Sequence, residues 1–254
     1  MSSFNSIILA AGQGTRLRPY TDHVPKCMVE AAGRPLLLWH LDVLEACGIK
    51  DIFVIAGYKQ EKITDARVTK IINPRYETTN MISSLFCAED QLYGDVIIAY
   101  GDIVYSKEVL NAMMEDERDI VIACDEEWNS YWSMRFDDPL SDAETFIKGP
   151  EGRVLSLGSK TKDINEIQGQ YIGLIKLSSK GCEIVRAEYE NAKNDGNQIS
   201  NAWNSSRTLD MAYMTDLLNH LASKGKLHYR SIHRGWVEVD DHADLEIAKS
   251  QLPW

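Results

Sequence analysis

A loop rich in glycine and basic residues lies near the amino terminus. Gly12 and Gly14 follow the apolar run at residues 6–10, and Arg16 and Lys26 come soon after them. Glycines let the backbone approach a ligand closely, and successive backbone N–H groups can then form a concavity that binds anions. This pattern predicts a phosphate-binding loop. A tight strand-to-helix turn with basic residues on the surface is the structural alternative.

The loop differs from two common phosphate-binding fingerprints. The dinucleotide pattern needs a third glycine where this chain has Leu17. A Walker loop needs Gly-Lys-Ser or Gly-Lys-Thr, and neither follows here. The loop therefore matches neither fingerprint, and its glycines alone do not decide against a tight turn.

Carboxylates follow two predicted strands further along the chain. Asp102 follows the apolar run at residues 95–100, after Gly101. A carboxylate at the carboxyl end of a parallel strand faces the crevice where α/β proteins bind ligands, and Mg²⁺ prefers one or two carboxylates with phosphate oxygens. Glu238 and Asp240 alternate on a short strand and so share one face. The alternatives are a helix cap at Asp102 and a solvated strand end at the other two residues, with Asp241 as the cap of the last helix.

The whole run at residues 9–28 resembles the signature of the sugar-phosphate nucleotidyltransferase superfamily. It contains every fixed position of Leu-Ala-Ala-Gly-x-Gly-Thr-Arg-Leu-x-Pro-x-Thr-x-x-x-Pro-Lys-x-Met. The resemblance implies an enzyme that uses Mg²⁺ to join a nucleoside triphosphate to a phosphorylated acceptor with release of pyrophosphate. It implies that Arg16 and Lys26 neutralise phosphates and that Asp240 is the second metal ligand beside Asp102, with Glu238 as a further candidate. The implied nucleotide-binding loop comprises Leu9, Ala10, Ala11, Gly12, Gly14 and Thr15.

Three further segments resemble the small-headgroup cytidylyltransferases more than the sugar enzymes. They are Tyr-x-x-Thr-Asn-x-x-x-Ser-Leu at 76–85, the strand at 170–174 and Trp-x-Glu-x-Asp at 236–240. The resemblance implies transfer of CMP from CTP to phosphocholine, 2-aminoethylphosphonate or a phosphorylated amino-acid amide, in capsule or lipopolysaccharide modification. A sugar-1-phosphate enzyme using UTP, dTTP or GTP is the first alternative. A non-catalytic regulatory relative is the second.

Two segments supply candidates for substrate contacts. Asn80 and Ser84 share one face of a predicted helix and could hydrogen-bond the nucleotide, or serve as a helix cap and a packed residue. The segment at 126–150 is predicted to be an acceptor-side excursion, since aromatic rings beside carboxylates can enclose an ammonium headgroup. With the resemblance, this predicts an acceptor site of Trp128, Trp132, Arg135, Glu144, Lys160 and Tyr171. The helical spacing of the two tryptophans is equally that of an ordinary packing stripe.

Alternating apolar runs must position these residues. Strands are predicted at 6–10, 51–56, 68–72, 95–100, 119–124 and 170–177, and helices at 35–47, 80–92, 106–114, 180–192, 211–223 and 241–250. Unbroken apolar strands between helices are typical of a parallel sheet that is covered on both faces. With the resemblance, they predict an α/β, Rossmann-like three-layer nucleotidyltransferase fold with a mostly parallel mixed central sheet. We expect one nucleotidyltransferase domain over residues 1–254.

Composition restricts the class of protein. The 254 residues carry a formal net charge of −11, which argues against a nucleic-acid or anionic-membrane surface. The five cysteines form no CxxC pair, and no apolar run approaches the length of a membrane span. We therefore expect a cytoplasmic protein whose partners are a nucleoside triphosphate, CTP in the first place, and a small phosphorylated acceptor. A homodimer is left open.

Overall fold

The computed structural model describes residues 4–195, 201–204 and 206–252, where strands and helices alternate along the chain. The strands are β1 (Phe4–Ala10), β2 (Glu30–Ala31), β3 (Arg34–Pro35), β4 (Asp51–Ala56), β5 (Val68–Ile72), β6 (Asp95–Tyr100), β7 (Ile103–Tyr105), β8 (Ile120–Asp125), β9 (Glu144–Lys148), β10 (Val154–Lys160), β11 (Gln170–Leu177), β12 (His228–Ile232) and β13 (Trp236–Glu238). The α-helices are α1 (Leu36–Ala46), α2 (Met81–Phe86), α3 (Lys107–Met114), α4 (Trp128–Arg135), α5 (Ser179–Asp195), α6 (Met214–Ser223) and α7 (His242–Gln251).

A seven-stranded central sheet has the strand order β12-β8-β11-β6-β1-β4-β5. β11 is antiparallel to β6 and β8, and the other neighbouring pairs are parallel. The predicted mostly parallel mixed sheet is therefore confirmed. Because the six strands other than β11 run the same way, their carboxyl ends meet at one edge, where ligands bind in such sheets.

Helices cover both faces of this sheet. Successive residues of a buried strand point to opposite faces. Ile8 packs in the apolar cluster that contains α1, α3, α4 and α7, whereas Ile7 packs in the cluster of α2, α5 and α6. The three layers that the sequence predicts are present.

Two predicted helices have different bounds in the structure. The helix expected at 80–92 is α2 followed by a short 3-10 helix at Glu89–Gln91. The helix expected at 211–223 begins only at Met214, because the residues before it form backbone hydrogen bonds with the start of α2. The carbonyls of Asp210 and Ala212 accept hydrogen bonds from the backbone N–H groups of Asn80 and Ile82, and so complete the first turn of α2.

The segment at 126–150 contains α4, a 3-10 turn at Pro139–Ser141 and strand β9. β9 pairs antiparallel with β10 in a separate two-stranded sheet. Strand β13 pairs in the same manner with β7. Within the described parts of the chain, no helix combines the length and the apolar character needed to cross a membrane.

Candidate active site

The glycine-bearing loop follows the carboxyl end of β1 and folds back on a lysine. Gly14 has a φ of 62°, in the left-handed region that favours glycine. Its carbonyl accepts a hydrogen bond of 2.9 Å from Thr21 Oγ1. A Cβ on Gly14 would lie 2.9 Å from Cβ of Lys26, so the lack of a side chain lets the two segments touch. This packing brings Lys26 to the loop.

A cavity of about 390 Å³ lies against this loop. Every residue that the sequence predicts for the nucleotide, and all four predicted catalytic residues, line it. Their roles stay predictions, but the structure brings them together. The lining residues are Leu9, Ala10, Ala11, Gly12, Gly14, Thr15, Arg16, Lys26, Cys27, Tyr76, Thr79, Asn80, Met81, Ser84, Gly101, Asp102 and Asp240.

Strand pairing brings Asp240 beside Asp102 from a distant part of the sequence. Asp102 lies between β6 and β7, and Glu238 at the end of β13 pairs with Ile103 at the start of β7. The N–H of Val239 then donates a hydrogen bond of 2.9 Å to the carbonyl of Asp102. The alternative role of Asp102 as a helix cap is not observed, since the side chain of Ser106 caps α3.

Two cations contact these carboxylates. Lys26 Nζ donates to Asp102 Oδ2 at 2.7 Å and also to Asp240 Oδ1. A guanidinium nitrogen of Arg16 lies 2.6 Å from Asp240 Oδ2. Burial disfavours the ammonium form of Lys26, but Asp102 and Asp240 outweigh it and raise the pKa of Lys26 above its ordinary value. Burial opposes ionisation of Asp240 as well, yet Lys26 and Arg16 lower the pKa of Asp240.

The carboxylates fit a divalent metal ion. One oxygen each of Asp102, Glu238 and Asp240 lies within 4.8 Å of the others. Asp102 Oδ1 is buried and has no hydrogen-bond partner among the described residues, so a ligand position is available. A donor set made only of carboxylate oxygens suits hard cations. These are the three residues that the sequence predicts for the metal.

Glu238 is held by a buried arginine. Arg135 donates to Glu238 Oε2 at 2.7 Å and to both oxygens of Asp244 at 2.7 and 3.0 Å. Burial raises the pKa of Glu238 to about 7; Arg135 opposes the shift, whereas Asp102 and Asp240 add to it. The guanidinium that the sequence predicts for the acceptor is therefore already paired with carboxylates.

A second cavity, of about 200 Å³, shares Asp240 with the first. Of the predicted acceptor residues, Trp132, Arg135, Glu144 and Tyr171 line it. The lining residues are Tyr100, Trp132, Arg135, Asp142, Glu144, Gln170, Tyr171, Ile172, Gly173, Thr215, Trp236, Glu238 and Asp240.

The structure does not bring two predicted acceptor residues to this lining. Trp128 is buried against Trp132, edge to face at 6.1 Å, which is the packing alternative. Lys160 Nζ instead donates to the carbonyl of Asp142, a residue of the lining. Both tryptophans of α4 are buried in the core, and helical spacing alone could not show that only Trp132 also lines the cavity.

Asn80 and Ser84 combine both of the roles that the sequence leaves open. The side chain of Asn80 accepts a hydrogen bond of 2.8 Å from the N–H of Met81 at the start of α2. Ser84 Oγ accepts a hydrogen bond of 2.9 Å from the side-chain amide of buried Asn73. Both residues also line the first cavity. The hydroxyl of Ser84 therefore keeps its proton available for a ligand acceptor.

Comparison with known proteins assigns the family. The family model of the MobA-like NTP transferase domain matches residues 6–154. The chain belongs to this family. The nucleotidyltransferase superfamily that the sequence predicts is thereby confirmed.

Relatives in the family cover most of the chain. A CTP:phosphoglutamine cytidylyltransferase from Campylobacter jejuni is 35% identical over 96% of this chain and 98% of its own. A choline-phosphate cytidylyltransferase from Streptococcus pneumoniae is 28% identical over 59% of this chain and 67% of its own. The solved structure of CTP:phosphocholine cytidylyltransferase from Streptococcus pneumoniae has a TM-score of 0.75 at 19% identity, covering 99% of this chain and 100% of that one. That last likeness supports the fold.

Sequence reasoning missed several lining residues of this family member. Tyr76 and Thr79 line the first cavity and belong to the 76–85 segment that pointed to the cytidylyltransferases, so that segment was their signal. Tyr100, Asp142 and Trp236 line the second cavity. Trp236 belongs to the Trp-x-Glu-x-Asp segment and Asp142 to the 126–150 segment, so those segments were their signal, whereas no local pattern marked Tyr100 at the end of β6.

Proposed function

We propose that the protein transfers CMP from CTP to a small phosphorylated or phosphonate acceptor whose headgroup carries an ammonium group, with release of pyrophosphate. The observation that carries this proposal is the shared position of Asp240. Asp240 lines both the cavity beside the glycine-bearing loop and the second cavity, whose lining includes aromatic and acidic side chains. Two substrates bound in these cavities would meet at the carboxylate cluster.

The first cavity suits the triphosphate. Gly12 and Gly14 leave backbone N–H groups open to phosphate oxygens, and Arg16 and Lys26 supply positive charge at the same wall. Lys26 is fixed by two carboxylates, so its ammonium is oriented before a nucleotide binds. An oriented cation stabilises the charge of the leaving pyrophosphate without a reorganisation cost at the moment of reaction.

The reaction needs no general base from the protein. A phosphate monoester loses its second proton at about pH 6, so its oxygen is already a nucleophile at neutral pH. That oxygen attacks the α-phosphorus of CTP, the bond from this phosphorus to the bridging oxygen of the β-phosphate breaks, and pyrophosphate leaves. Bound Mg²⁺ would be held by Asp102, Asp240 and Glu238 and would neutralise the phosphate oxygens. Lys26 and Arg16 keep the two anionic substrates from repelling each other.

The lining of the second cavity favours a cationic headgroup. Rings of Tyr100, Trp132, Tyr171 and Trp236 stand near the carboxylates of Asp142 and Glu144. Burial raises the pKa of Glu144; Lys160 opposes the shift and Asp142 adds to it, so a positive ligand would favour the charged form of Glu144. Among the lining residues the positive charge comes from Arg135, which is already paired with carboxylates. An ammonium group gains both cation–π and ionic contacts in such a site.

A pyrophosphate-release screen with Mg²⁺ tests this function. CTP, UTP, dTTP, ATP and GTP are each combined with phosphocholine, phosphoethanolamine, 2-aminoethylphosphonate, phosphorylated glutamine amide and glucose 1-phosphate. 2-Hydroxyethyl phosphate, in which a neutral hydroxyl replaces the ammonium group, is the matched control for phosphoethanolamine. We expect release only with CTP and with acceptors that carry an ammonium group.

Other outcomes would decide against the proposal. Turnover of glucose 1-phosphate with UTP or dTTP would make the protein a sugar-nucleotide enzyme. Nucleotide binding without pyrophosphate release from any pair would favour a regulatory role. Equal turnover of phosphoethanolamine and its hydroxyl analogue would reject the ammonium headgroup and leave the cytidylyl transfer standing.

A further inference from the structure

Two buried residues behind the carboxylate cluster have no role in the function proposed above. Asp244, in the first turn of α7, is 2% exposed. The side chain of Arg135, at the end of α4, is also 2% exposed. We propose that Asp244 and Arg135 are positioning residues that hold Asp240 and Glu238 in the orientation that binds the metal. This inference rests on the metal site of the proposed function.

Asp244 fixes the backbone that carries Asp240. Its Oδ2 accepts hydrogen bonds from the N–H of Asp240 at 2.9 Å and from the N–H of Asp241 at 3.3 Å. Its own N–H donates to Asp241 Oδ1 at 3.0 Å, so the two aspartates form a reciprocal cap at the start of α7. The direction of the Asp240 side chain is thereby tied to the end of a helix.

Arg135 links this cap to Glu238. Its Nε and one terminal nitrogen grip both oxygens of Asp244, and its other terminal nitrogen donates to Glu238 Oε2. The guanidinium lies 5.4 Å from the ring centre of Tyr131 and 5.2 Å from that of Trp132. Tyr131 also donates from its hydroxyl to the carbonyl of Glu238 and accepts from the N–H of the same residue. Side chain and backbone of Glu238 are both held from α4.

One planar cation therefore sets the geometry of two ligands. The forked guanidinium binds one carboxylate through two parallel hydrogen bonds and leaves a third nitrogen in the same plane for the next. Glu238 and Asp240 lie near Asp102, and three carboxylates this close repel one another. The positive charge of Arg135 keeps Glu238 near the cluster without occupying the oxygens of Asp102 or Asp240. Groups that orient metal ligands in this way commonly alter metal affinity when changed.

Direct metal binding tests the inference. Free Mn²⁺ is measured by electron paramagnetic resonance during titration of the full chain, with Mn²⁺ alone as the probe. In Asp244→Asn, an amide N–H faces either the guanidinium or the N–H of Asp240, so we expect Mn²⁺ affinity to fall about 10- to 100-fold. Arg135→Gln should weaken binding similarly, and Arg135→Lys, which keeps the charge, should restore part of it.

Asp116→Asn is the matched control for a purely structural effect. Asp116 is also a buried carboxylate that accepts from both a guanidinium and a backbone N–H, those of Arg118, but it lies outside both cavities. We expect this variant to lose thermal stability and keep wild-type Mn²⁺ affinity. In activity assays, Asp244→Asn should need more Mg²⁺ for half-maximal rate, with the KM for CTP unchanged once Mg²⁺ saturates.

The outcomes separate the inference from the proposed function. Wild-type Mn²⁺ affinity in folded Asp244→Asn and Arg135→Gln would overturn the positioning role alone. An equal loss of Mn²⁺ affinity in Asp116→Asn would also overturn the positioning role, because the change in affinity would then follow the loss of stability. Failure of the wild-type protein to bind Mn²⁺ would remove the metal site and this inference together. If Asp244→Asn does not fold, the comparison of Arg135→Gln with Arg135→Lys decides the same point.

Discussion

Each charged residue that lines the first cavity is paired before any substrate arrives. Lys26 bridges Asp102 and Asp240, and Arg16 contacts the second of these. A metal ion and the triphosphate would compete for the same groups, the metal for the carboxylates and the phosphates for the cations. The acidic protein thus keeps its local cations in place through ion pairs, which would exchange partners in the proposed substrate complex.

Asp102→Asn should separate catalysis from folding. The amide keeps the shape of the side chain but removes the negative charge that a metal ion needs. We expect kcat to fall by at least ~100-fold, which corresponds to about 3 kcal/mol of lost transition-state stabilisation. Pyrophosphate release at saturating substrates measures it. Asp51→Asn, at the start of β4, is the control and should retain activity. Wild-type turnover in Asp102→Asn would show that this carboxylate is not part of the reaction.

Lys26→Met should have opposite effects on metal binding and on turnover. Without the ammonium, Asp102 and Asp240 repel each other, so the metal-free protein should be less stable. The same change frees two carboxylate oxygens, so Mg²⁺ should raise Tm by more than in the wild type, while turnover is lost because the phosphates lose a cation. Thermal unfolding with and without MgCl₂, beside the activity assay, checks both effects.

Lys176→Met is the control for this substitution. Lys176 is buried and donates to the carbonyls of Asp116 and Arg118, away from both cavities. We expect a lower Tm with a Mg²⁺ response like that of the wild type. A Lys26→Met protein whose Tm responds to Mg²⁺ no more than the wild type does would contradict the competition between ammonium and metal.

At the scale of elements, the approach of β6 to β1 depends on Gly101. A Cβ at this position would lie 2.9 Å from the carbonyl oxygen of Leu9 and 3.0 Å from Cβ of Ala10. In Gly101→Ala, the carboxyl ends of the two strands must therefore move apart, at a cost of about 1–3 kcal/mol. The shift also moves the adjacent Asp102, so activity should fall as well.

Gly12→Ala is the comparison for stability. A Cβ there meets nothing within 4 Å. Its free energy of unfolding should stay within about 0.5 kcal/mol of the wild type. Urea unfolding of both variants measures the difference. Equal stability of the two variants would show that the close contact of β6 with β1 is relieved by a movement too small to matter.

Elements with strong local patterns could be predicted from the sequence. The apolar runs of β4, β5, β6 and β11 fix their bounds without help from the rest of the fold, and the structure confirms these bounds. The start of α6 could not be predicted, because the carbonyls of Asp210 and Ala212 are used by α2. Such an exchange between distant segments leaves no periodic signal.

The site was predictable where one segment carries it. The loop at residues 9–28 holds its glycines and cations within one stretch, and all its predicted residues line one cavity. The partners of Arg135 were not predictable, since Glu238 and Asp244 lie on other elements and reach it only when α4 packs against α7. Its charge and the resemblance made it a candidate for the acceptor, but it is buried and paired with carboxylates.

At the scale of the whole molecule, two distant groups contribute to the response of stability to acid in different pH ranges. Glu188 of α5 accepts hydrogen bonds from Lys224, His220 and Lys226. Burial alone would raise its pKa, but these three partners lower the pKa of Glu188 to about 2. Since this pKa is depressed on folding, the stabilisation is complete above the ordinary pKa of 4.5 and is lost as the pH falls toward about 2.

His40 should act in a higher pH window. Its ring is buried, edge to face with Tyr105, and neither nitrogen has a hydrogen-bond partner among the described residues. Burial lowers the pKa of His40 from 6.5 to about 4. Between these values the unfolded chain binds a proton that the native protein does not. The free energy of unfolding therefore decreases as the pH is lowered, by up to about 1.4 kcal/mol per pH unit.

Replacing this ring should flatten one part of the profile only. In His40→Leu the side chain cannot take a proton, so urea unfolding between pH 6.5 and 4 should depend less on pH. The loss of stability below pH 4.5, where unfolding lets Glu188 take up a proton, should remain because its partners are untouched. His233→Gln, at an exposed position, is the control and should keep the wild-type slope. A His40→Leu profile that parallels the wild type over the whole range would mean that another group takes up the proton on unfolding.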